Sequence, residues 1–327
     1  MHASQSSGVL ITGSGGFIGA HLARMLAGNG WRVVAVSRKV RNGESIANVR
    51  NVELSLCRDS ASWQAALTSI QSVVHLAAHV HQTGSKKGRD EGLFREVNVE
   101  GSRFVAERAA RAGVRRLIFL SSIKVNGEIT DGRPFGADDV PLPQDAYANS
   151  KLEAEVILRE ICFRANMELV IVRPPLVYGP GVRANFRLLM RLVALGLPLP
   201  FRSLDNRRSL ISVWNLTHFI EVCLNHEFAA GRTWLISDGQ DLSTSLLIAK
   251  LTTLMRKRPR QFSVAPRYLR ILARLVGLEA EMSRLCDSLQ VDISPATEQL
   301  LWRPTLDVDE GLARTVAAYN TVPSSEF

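Results

Sequence analysis

The chain has 327 residues, 46% of them hydrophobic, enough to bury the core of one large domain plus a smaller lobe. A formal charge of +9 and a pI near 9.8 admit nucleic acid, an anionic membrane or an anionic small molecule as partner. The first is set aside, because the sequence has no nucleic-acid motif and no surface of interleaved basic and aromatic residues. No apolar stretch reaches membrane-spanning length and no basic-then-apolar leader precedes residue 9, so the cytoplasm is the expected compartment.

A short β-branched run at 9–12 meets a glycine cluster, and residues 17–26 then carry apolar side chains at helical spacing: strand, tight turn, helix. Further strands are expected at 31–36, 72–76, 116–120 and 169–172, alternating with helices such as 96–112 and 148–165. Such alternation implies βαβ units and a parallel sheet covered on both faces. Beyond residue 180 the alternation fades into short strands (209–213, 233–236), helices and proline-rich links. The expected class is α/β, a Rossmann-type doubly wound parallel sheet with a smaller C-terminal substrate lobe. Residues 1–180 would be mainly the dinucleotide-binding domain, 181–318 mainly the substrate lobe with interleaved sheet elements, and 319–327 a flexible tail.

Thr12-Gly13-Ser14-Gly15-Gly16-Phe17-Ile18-Gly19 lies between the first strand and the first helix. Gly13 permits the tight turn, Gly16 lets backbone approach a pyrophosphate, and Gly19 allows close packing of helix on strand. Gly15, Phe17 and Ile18 complete the loop around an anion at the helix N-terminus. An NAD site would place an acid about 20 residues further on, for the ribose 2′-hydroxyl. Ser37-Arg38-Lys39 stands there instead, and an arginine able to fork onto a phosphate favours NADP(H), with NAD(H) as the alternative.

Tyr147 and Lys151 are four apart at the start of a helix and share a face, so the ammonium is expected to lower the phenol pKa toward proton exchange. Ser121-Ser122 ends the strand at 116–120, on the sheet edge where open α/β sheets bind ligands.

These pieces, together with His75-Leu76-Ala77-Ala78, Asn98-Val99-Glu100-Gly101 and Arg173-Pro174-Pro175-Leu176-Val177-Tyr178-Gly179-Pro180, resemble the extended short-chain dehydrogenases/reductases of the nucleotide-sugar epimerase, dehydratase and reductase group. The resemblance implies Tyr147 as general acid/base on the sugar, Lys151 on the nicotinamide ribose, and Ser122 bonding the reacting oxygen. It further implies a cofactor pocket lined by Leu76, Ala77, Ala78 and Pro174, with Asn98 as a structural support. Two departures stand out: Asn126 replaces the family's tyrosine after the serine, and Leu56 with Cys57 replaces the acid that often bonds adenine. Among substrate contacts, Arg208 and Asn185 match positions that meet the diphosphate or sugar, and Lys124 and His79 stand near the substrate mouth.

Ile123 and Lys124 occupy the place where a dehydratase would carry an acidic pair, which leaves reduction or epimerisation. The phrases around Ser122, Arg173 and Arg208 look similar to a bacterial surface-polysaccharide branch that reduces UDP-4-keto-6-deoxy-N-acetylhexosamines at C4. The expectation is therefore an NADPH-dependent 4-keto-reductase supplying O-antigen synthesis. The alternatives are an NAD-dependent UDP-sugar 4-epimerase and, in another class, a non-catalytic NADP-binding sensor. Family members often dimerise through the helices at 96–112 and 148–165.

Other signals carry less. Cys57, Cys162, Cys223 and Cys286 form no C-x-x-C and read as reduced core thiols. His75, His79 and His81 lack a completing acid or cysteine, so no metal site is expected. Residues 242–278 contain no acid but carry Lys250, Arg256, Lys257, Arg258, Arg260, Arg267, Arg270 and Arg274. Within them 268–276 is spaced as an amphipathic helix, compatible with peripheral docking on an anionic membrane.

Overall fold

A computed structural model of the chain describes residues 7–39, 46–56, 60–80 and 87–321. Among the described residues nine strands run in chain order: β1 (Gly8–Thr12), β2 (Arg32–Ser37), β3 (Val49–Glu53), β4 (Ser72–His75), β5 (Arg116–Leu120), β6 (Glu168–Arg173), β7 (Leu176–Tyr178), β8 (Leu210–Ser212) and β9 (Thr233–Leu235). Seven form one parallel sheet in the order β3-β2-β1-β4-β5-β6-β9, and β7 pairs with β8 in a separate parallel ribbon.

The helices are α1 (Phe17–Gly28), α2 (Ser60–Leu67), α3 (Lys87–Phe94), α4 (Gly101–Arg111), α5 (Ala146–Arg164), α6 (Ala184–Ala194), α7 (Val213–Asn225), α8 (Thr244–Leu254), α9 (Pro266–Leu275), α10 (Glu279–Cys286), α11 (Ser294–Gln299) and α12 (Val308–Thr321). Among the described residues no helix is long and apolar enough to cross a membrane.

Alternation along each strand divides the core. Val9, Ile11, Val33, Ile118, Val170 and Val172 meet α1, α7 and α11, while Leu10, Val34, Leu117, Phe119, Leu169 and Ile171 meet α2, α4 and α5. The sheet is thus covered on both faces, as an apolar parallel sheet must be. Topology reverses at β1, where crossovers leave toward β2 on one side and β4 on the other, opening a crevice at the strand carboxyl ends. A third apolar cluster, with residues from α6, α8, α9, α10 and α12, forms the lobe beside that crevice, and Phe17 of the glycine loop packs against it.

Two strands escape the sequence pattern. β3 (Val-Arg-Asn-Val-Glu) is a largely exposed edge, so it needs only two apolar residues; β7 is a three-residue piece paired with β8. The helix expected at 96–112 begins earlier and is irregular. Arg95–Glu100 winds as one π-helical turn between α3 and α4, a widening often found at functional sites. Residues 319–321, expected to open a flexible tail, instead belong to α12, which continues to Thr321 with Tyr319 packed on the lobe core; 322–327 lie outside the described residues.

Trp302 fastens the last connection to the sheet layer. It is buried against Phe219, with ring centroids 5.0 Å apart, and its indole N–H donates to His218 Nδ1 at 3.1 Å. Trp302→Ala is expected to cost about 3–5 kcal/mol of stability by cavity formation, measured as a lowered urea midpoint.

Candidate active site

The loop from β1 to α1 is closed by backbone contacts that leave no space for side chains at two positions. Gly13 has φ +71°, and a Cβ there would stand 2.8 Å from the Ala77 amide nitrogen; one on Gly19 would stand 2.3 Å from the Gly13 carbonyl oxygen. The Gly16 amide donates to the Gly13 carbonyl at 2.9 Å, and no side chain caps the α1 N-terminus, whose first turn carries no acid. Amides unspent by the helix and the positive end of its dipole therefore face the crevice, which fits an anion such as a dinucleotide pyrophosphate.

Ser37 lies beside this loop, where a Cβ on Gly15 would stand 3.4 Å from the Ser37 Cβ. Arg38 follows it, exposed to solvent. Ser37 is also register-paired with Glu53, and paired residues of neighbouring strands project to the same face. A carboxylate thus stands at this end of the sheet, supplied by the strand that the sequence pattern missed. Leu56 packs toward Gly101, where a Cβ would come within 2.8 Å of it; Cys57 and His81 lie outside the described residues.

A chain of hydrogen bonds runs from the loop to the first turn of α5. The Ala77 amide donates to Thr12 Oγ1 (3.2 Å), which pairs with His75 Nδ1 (2.7 Å). His75 Nε2 meets Ser102 Oγ (3.0 Å), and that hydroxyl donates to the Asn98 carbonyl (2.5 Å). With Ser102 already donating, the proton between it and His75 belongs to Nε2, which in a neutral ring leaves Nδ1 to accept from the Thr12 hydroxyl. Burial, with the Lys151 charge as a lesser cause, pushes the His75 pKa down to about 3.

Asn98, inside the π-helical turn, clamps the His79 backbone through both amide atoms (2.7 and 3.1 Å) and donates to Ser150 Oγ at 2.9 Å; Ser150 in turn donates to the Tyr147 carbonyl at 2.7 Å. The π-turn so joins the Leu76–Ala77–Ala78–His79 segment to the first turn of α5. The His79 ring rests against Phe94 at 5.1 Å, and Phe94 also meets the Tyr147 ring edge-on at 6.0 Å.

Tyr147, Lys151 and Ser122 converge at the carboxyl end of β5. Asp145 caps α5 by accepting from the Ala148 amide at 2.7 Å, and Tyr147 hydrogen-bonds the Ser122 hydroxyl. The buried Lys151 ammonium donates to the Leu120 carbonyl at 2.9 Å and stands 4.5 Å from the Phe119 ring centroid. Below it Glu155 forms a bidentate pair with Arg173 (2.9 and 2.5 Å), which also donates to Asn126 Oδ1 at 2.9 Å. Ser121 donates to the same carboxylate at 2.5 Å. Pro174 holds the serine turn from the next strand, its carbonyl accepting the Ile123 amide at 3.0 Å.

The protonation balance differs from the sequence expectation. The Tyr147 pKa is pushed up to about 12, by burial and then by the Asp145 charge, against the lowering effect of Ser122. Burial pulls Lys151 down to about 7, opposed by Glu155. The amine is held by a carbonyl and an aromatic ring, so desolvation outweighs the attraction expected from spacing alone.

The four expected substrate contacts are placed differently from one another. Lys124 is engaged in ion pairs with Glu128 and Asp145, both at 2.6 Å. Asn185 is exposed in the first turn of α6. Arg208 donates to the Asp287 carbonyl at 2.9 Å; burial lowers its pKa, Asp287 and Glu128 oppose that, and the Arg284 charge adds to it. Glu128 thereby joins the serine loop electrostatically to Arg208. Arg284, whose buried Nε has no hydrogen-bond partner among the described residues, was not anticipated. No local pattern announces it, because α10 brings it to Arg208 from 76 residues away in sequence (284 − 208). Asp145 was readable as an N-cap residue two positions before Tyr147. Among the described residues no three His, Cys, Asp or Glu side chains are grouped to hold a metal ion.

A profile of the NAD dependent epimerase/dehydratase family matches residues 9–237. The chain belongs to this family. It is an enzyme of the oxidoreductase and epimerase type that the motif resemblance implied, and the parallel sheet is the family's fold. The chain is 40% identical over 315 residues to a UDP-glucose 4-epimerase of Vibrio cholerae, covering 95% of both chains. Its fold is similar to that of a Thermotoga maritima UDP-glucose 4-epimerase solved with UDP-glucose (TM-score 0.75, 22% identity, 96% of this chain and 98% of that one). It is likewise similar to a Bacillus cereus UDP-glucuronic acid 4-epimerase solved with NAD (TM-score 0.77, 19% identity, 96% and 98%).

Two outcomes follow from the geometry. Gly19→Ala is expected to weaken binding of NAD or NADP by about tenfold or more while leaving the far-ultraviolet circular dichroism intact, because the added methyl meets backbone that has to shift; isothermal titration reads it directly. His75 is neutral in the fold down to about pH 3 but is protonated in the unfolded chain below 6.5. Unfolding therefore takes up a proton in that window, and stability falls by about 1.4 kcal/mol per pH unit as pH drops below 6.5. Denaturant titrations of wild type and His75→Asn between pH 6.5 and 4 should show the steeper acid decline in the wild type alone.

Proposed function

We propose that the chain is an NAD-dependent 4-epimerase acting on a UDP-linked sugar. The observation that carries this reading is the full-length 40% identity to the Vibrio cholerae UDP-glucose 4-epimerase, in a chain whose Tyr147, Ser122 and Lys151 meet at one sheet end. The acid at Glu53, on the same face as Ser37, supports NAD, since a carboxylate there opposes the extra phosphate of NADP.

The residues would act as follows. Amides of the 13–19 loop and the α1 N-terminus hold the pyrophosphate, Ala77 and Ala78 line the pocket, and Lys151 reaches the ribose beside the nicotinamide. The oxidised nicotinamide would supply a reversible hydride acceptor and a positive charge near the phenol. Tyr147 takes the proton of the sugar O4 hydroxyl and returns it from the same oxygen after the sugar turns its other face. Ser122 hydrogen-bonds O4 throughout, keeping it within reach of the phenol. A phenol resting near 12 is almost wholly protonated at neutral pH and offers little phenolate to accept the O4 proton, so this transfer draws on cationic charge beside it, from Lys151 in its ammonium form, to favour the phenolate. Arg208 and Arg284 hold the substrate diphosphate, whose charge relieves the repulsion between two neighbouring guanidiniums. The helices α4 and α5 are the proposed dimer contact, and surface-polysaccharide assembly is the proposed consumer of the product.

A second reading is kept because Arg38 stands exposed at the end of β2, where it can meet a 2′-phosphate. In it the chain is an NADPH-dependent reductase of a UDP-4-keto-6-deoxy-N-acetylhexosamine. Incubation with UDP-glucose and UDP-N-acetylglucosamine, followed by NMR at C4, separates the two. Interconversion of C4 epimers without net cofactor consumption is expected, and Tyr147→Phe should slow it by about 10²–10⁴-fold with NAD binding retained. Failure to epimerise either sugar, with stoichiometric NADPH oxidation on the 4-keto substrate, would replace the epimerase by the reductase.

A further inference from the structure

The lobe carries an apolar surface that the sugar chemistry does not use. Helix α9 buries only Leu269 and Ala273 against the body, while Tyr268, Ile271, Leu272, Leu275, Val276 and Leu278 are each half exposed or more. At about 100° per residue, the five of these on 268–276 sweep an arc of about 140° beside the buried one. Soluble surfaces rarely leave so many adjacent large apolar side chains in water without a use for them.

Cations surround the arc. Arg267, Arg270 and Arg274 line its other flank, and the segment leading into α9 adds Arg256, Lys257, Arg258 and Arg260 with no acid between residues 242 and 278. Arg274 pairs with Glu279 and Arg270 with Asp287, so the cluster at 256–260 provides most of the free positive charge. Arg260 also donates to the Gly196 carbonyl at 3.2 Å, between the exposed Leu195 and Leu197, which ties a second apolar point to the basic segment.

We propose that α9 and its flanking basic segment dock the protein on the surface of an anionic lipid bilayer, with the helix lying in the interface. A charged lipid surface satisfies both halves of the pattern: apolar side chains enter the acyl boundary while arginines and lysines meet lipid phosphates. A second copy of the chain satisfies only the apolar half, because a two-fold contact through this face would set the basic segment against its own copy. The docking does not depend on which sugar reaction the site performs. The face is nevertheless joined to the substrate mouth, since Arg270 binds the Asp287 carboxylate and the Asp287 carbonyl accepts from Arg208.

The test is co-sedimentation of the full chain with vesicles of phosphatidylglycerol and phosphatidylcholine, and of phosphatidylcholine alone, at about 150 mM salt. Binding to the anionic vesicles is expected, with little to the neutral ones. The combined variant Ile271→Ser, Leu272→Ser, Leu275→Ser should reduce it by about tenfold or more. The combined variant Arg256→Ser, Lys257→Ser, Arg258→Ser should weaken it and remove its salt dependence. All six positions are exposed, so folding is retained, and a circular dichroism melt confirms it. No binding to anionic vesicles, or binding that survives both variants, overturns the proposal. A concentration-dependent dimer abolished by the apolar variant, without vesicle binding, also overturns it in favour of a second copy.

Discussion

A primary amine is held out of water at the carboxyl end of the central sheet, and the site is arranged around that cost. Lys151 has one carbonyl, one aromatic face and one carboxylate a helical turn away to compensate for lost hydration. Each compensating group brings a structural element with it. Leu120 and Phe119 come from β5, Glu155 from α5, and through Glu155 the guanidinium of Arg173 from β6. Ser121 completes the carboxylate, which sets the serine turn and so the neighbouring Ser122. Tyr147, Lys151 and Ser122 are consequently not three independent side chains but one end of a largely buried polar and ionic network.

A second network does the same for the cofactor crevice. Thr12, His75, Ser102, Asn98 and Ser150 pass hydrogen bonds in one direction from the end of β1 to the first turn of α5. A neutral His75 is required for this direction, because a doubly protonated ring would turn a donor against the Thr12 hydroxyl that donates to it. The π-helical turn at Arg95–Glu100 supplies the register that lets Asn98 hold the His79 backbone on one side and Ser150 on the other. The glycine loop and the first turn of α5 are thus positioned by buried polar groups that satisfy one another, which favours a single arrangement.

The lobe side is governed by charge at closer quarters. Lys124 pairs with both Glu128 and Asp145 beside Tyr147, leaving one net negative charge there, and Asp145 both caps α5 and raises the phenol pKa. Across from them Arg208 and Arg284 repel each other at a partly buried place, an arrangement suited to a polyanion. The same lobe turns its α9 face outward, so one small layer carries a recessed cationic site and a basic apolar exterior.

The sequence by itself determined what depends on local spacing and backbone sterics. Gly13, Gly16 and Gly19 announce the anion loop because no side chain fits there, Tyr147 and Lys151 announce a shared helical face, and the β-branched runs announce strands that must be buried on both sides. The parallel doubly wound sheet follows from that alternation. Tertiary structure decided what depends on residues distant in the chain. The polar run at Val49–Glu53 becomes a strand only because β2 offers it an edge, and its register puts a carboxylate beside Ser37, where β2 read alone suggested a phosphate site. Spacing also predicted a lowered tyrosine pKa, whereas burial raises it, since desolvation depends on everything packed around a group and not on its neighbour four residues on. Arg284 meets Arg208, and Lys124 is committed to Glu128 and Asp145, for the same reason: electrostatic partners are chosen by the fold in three dimensions, over separations that no local pattern encodes.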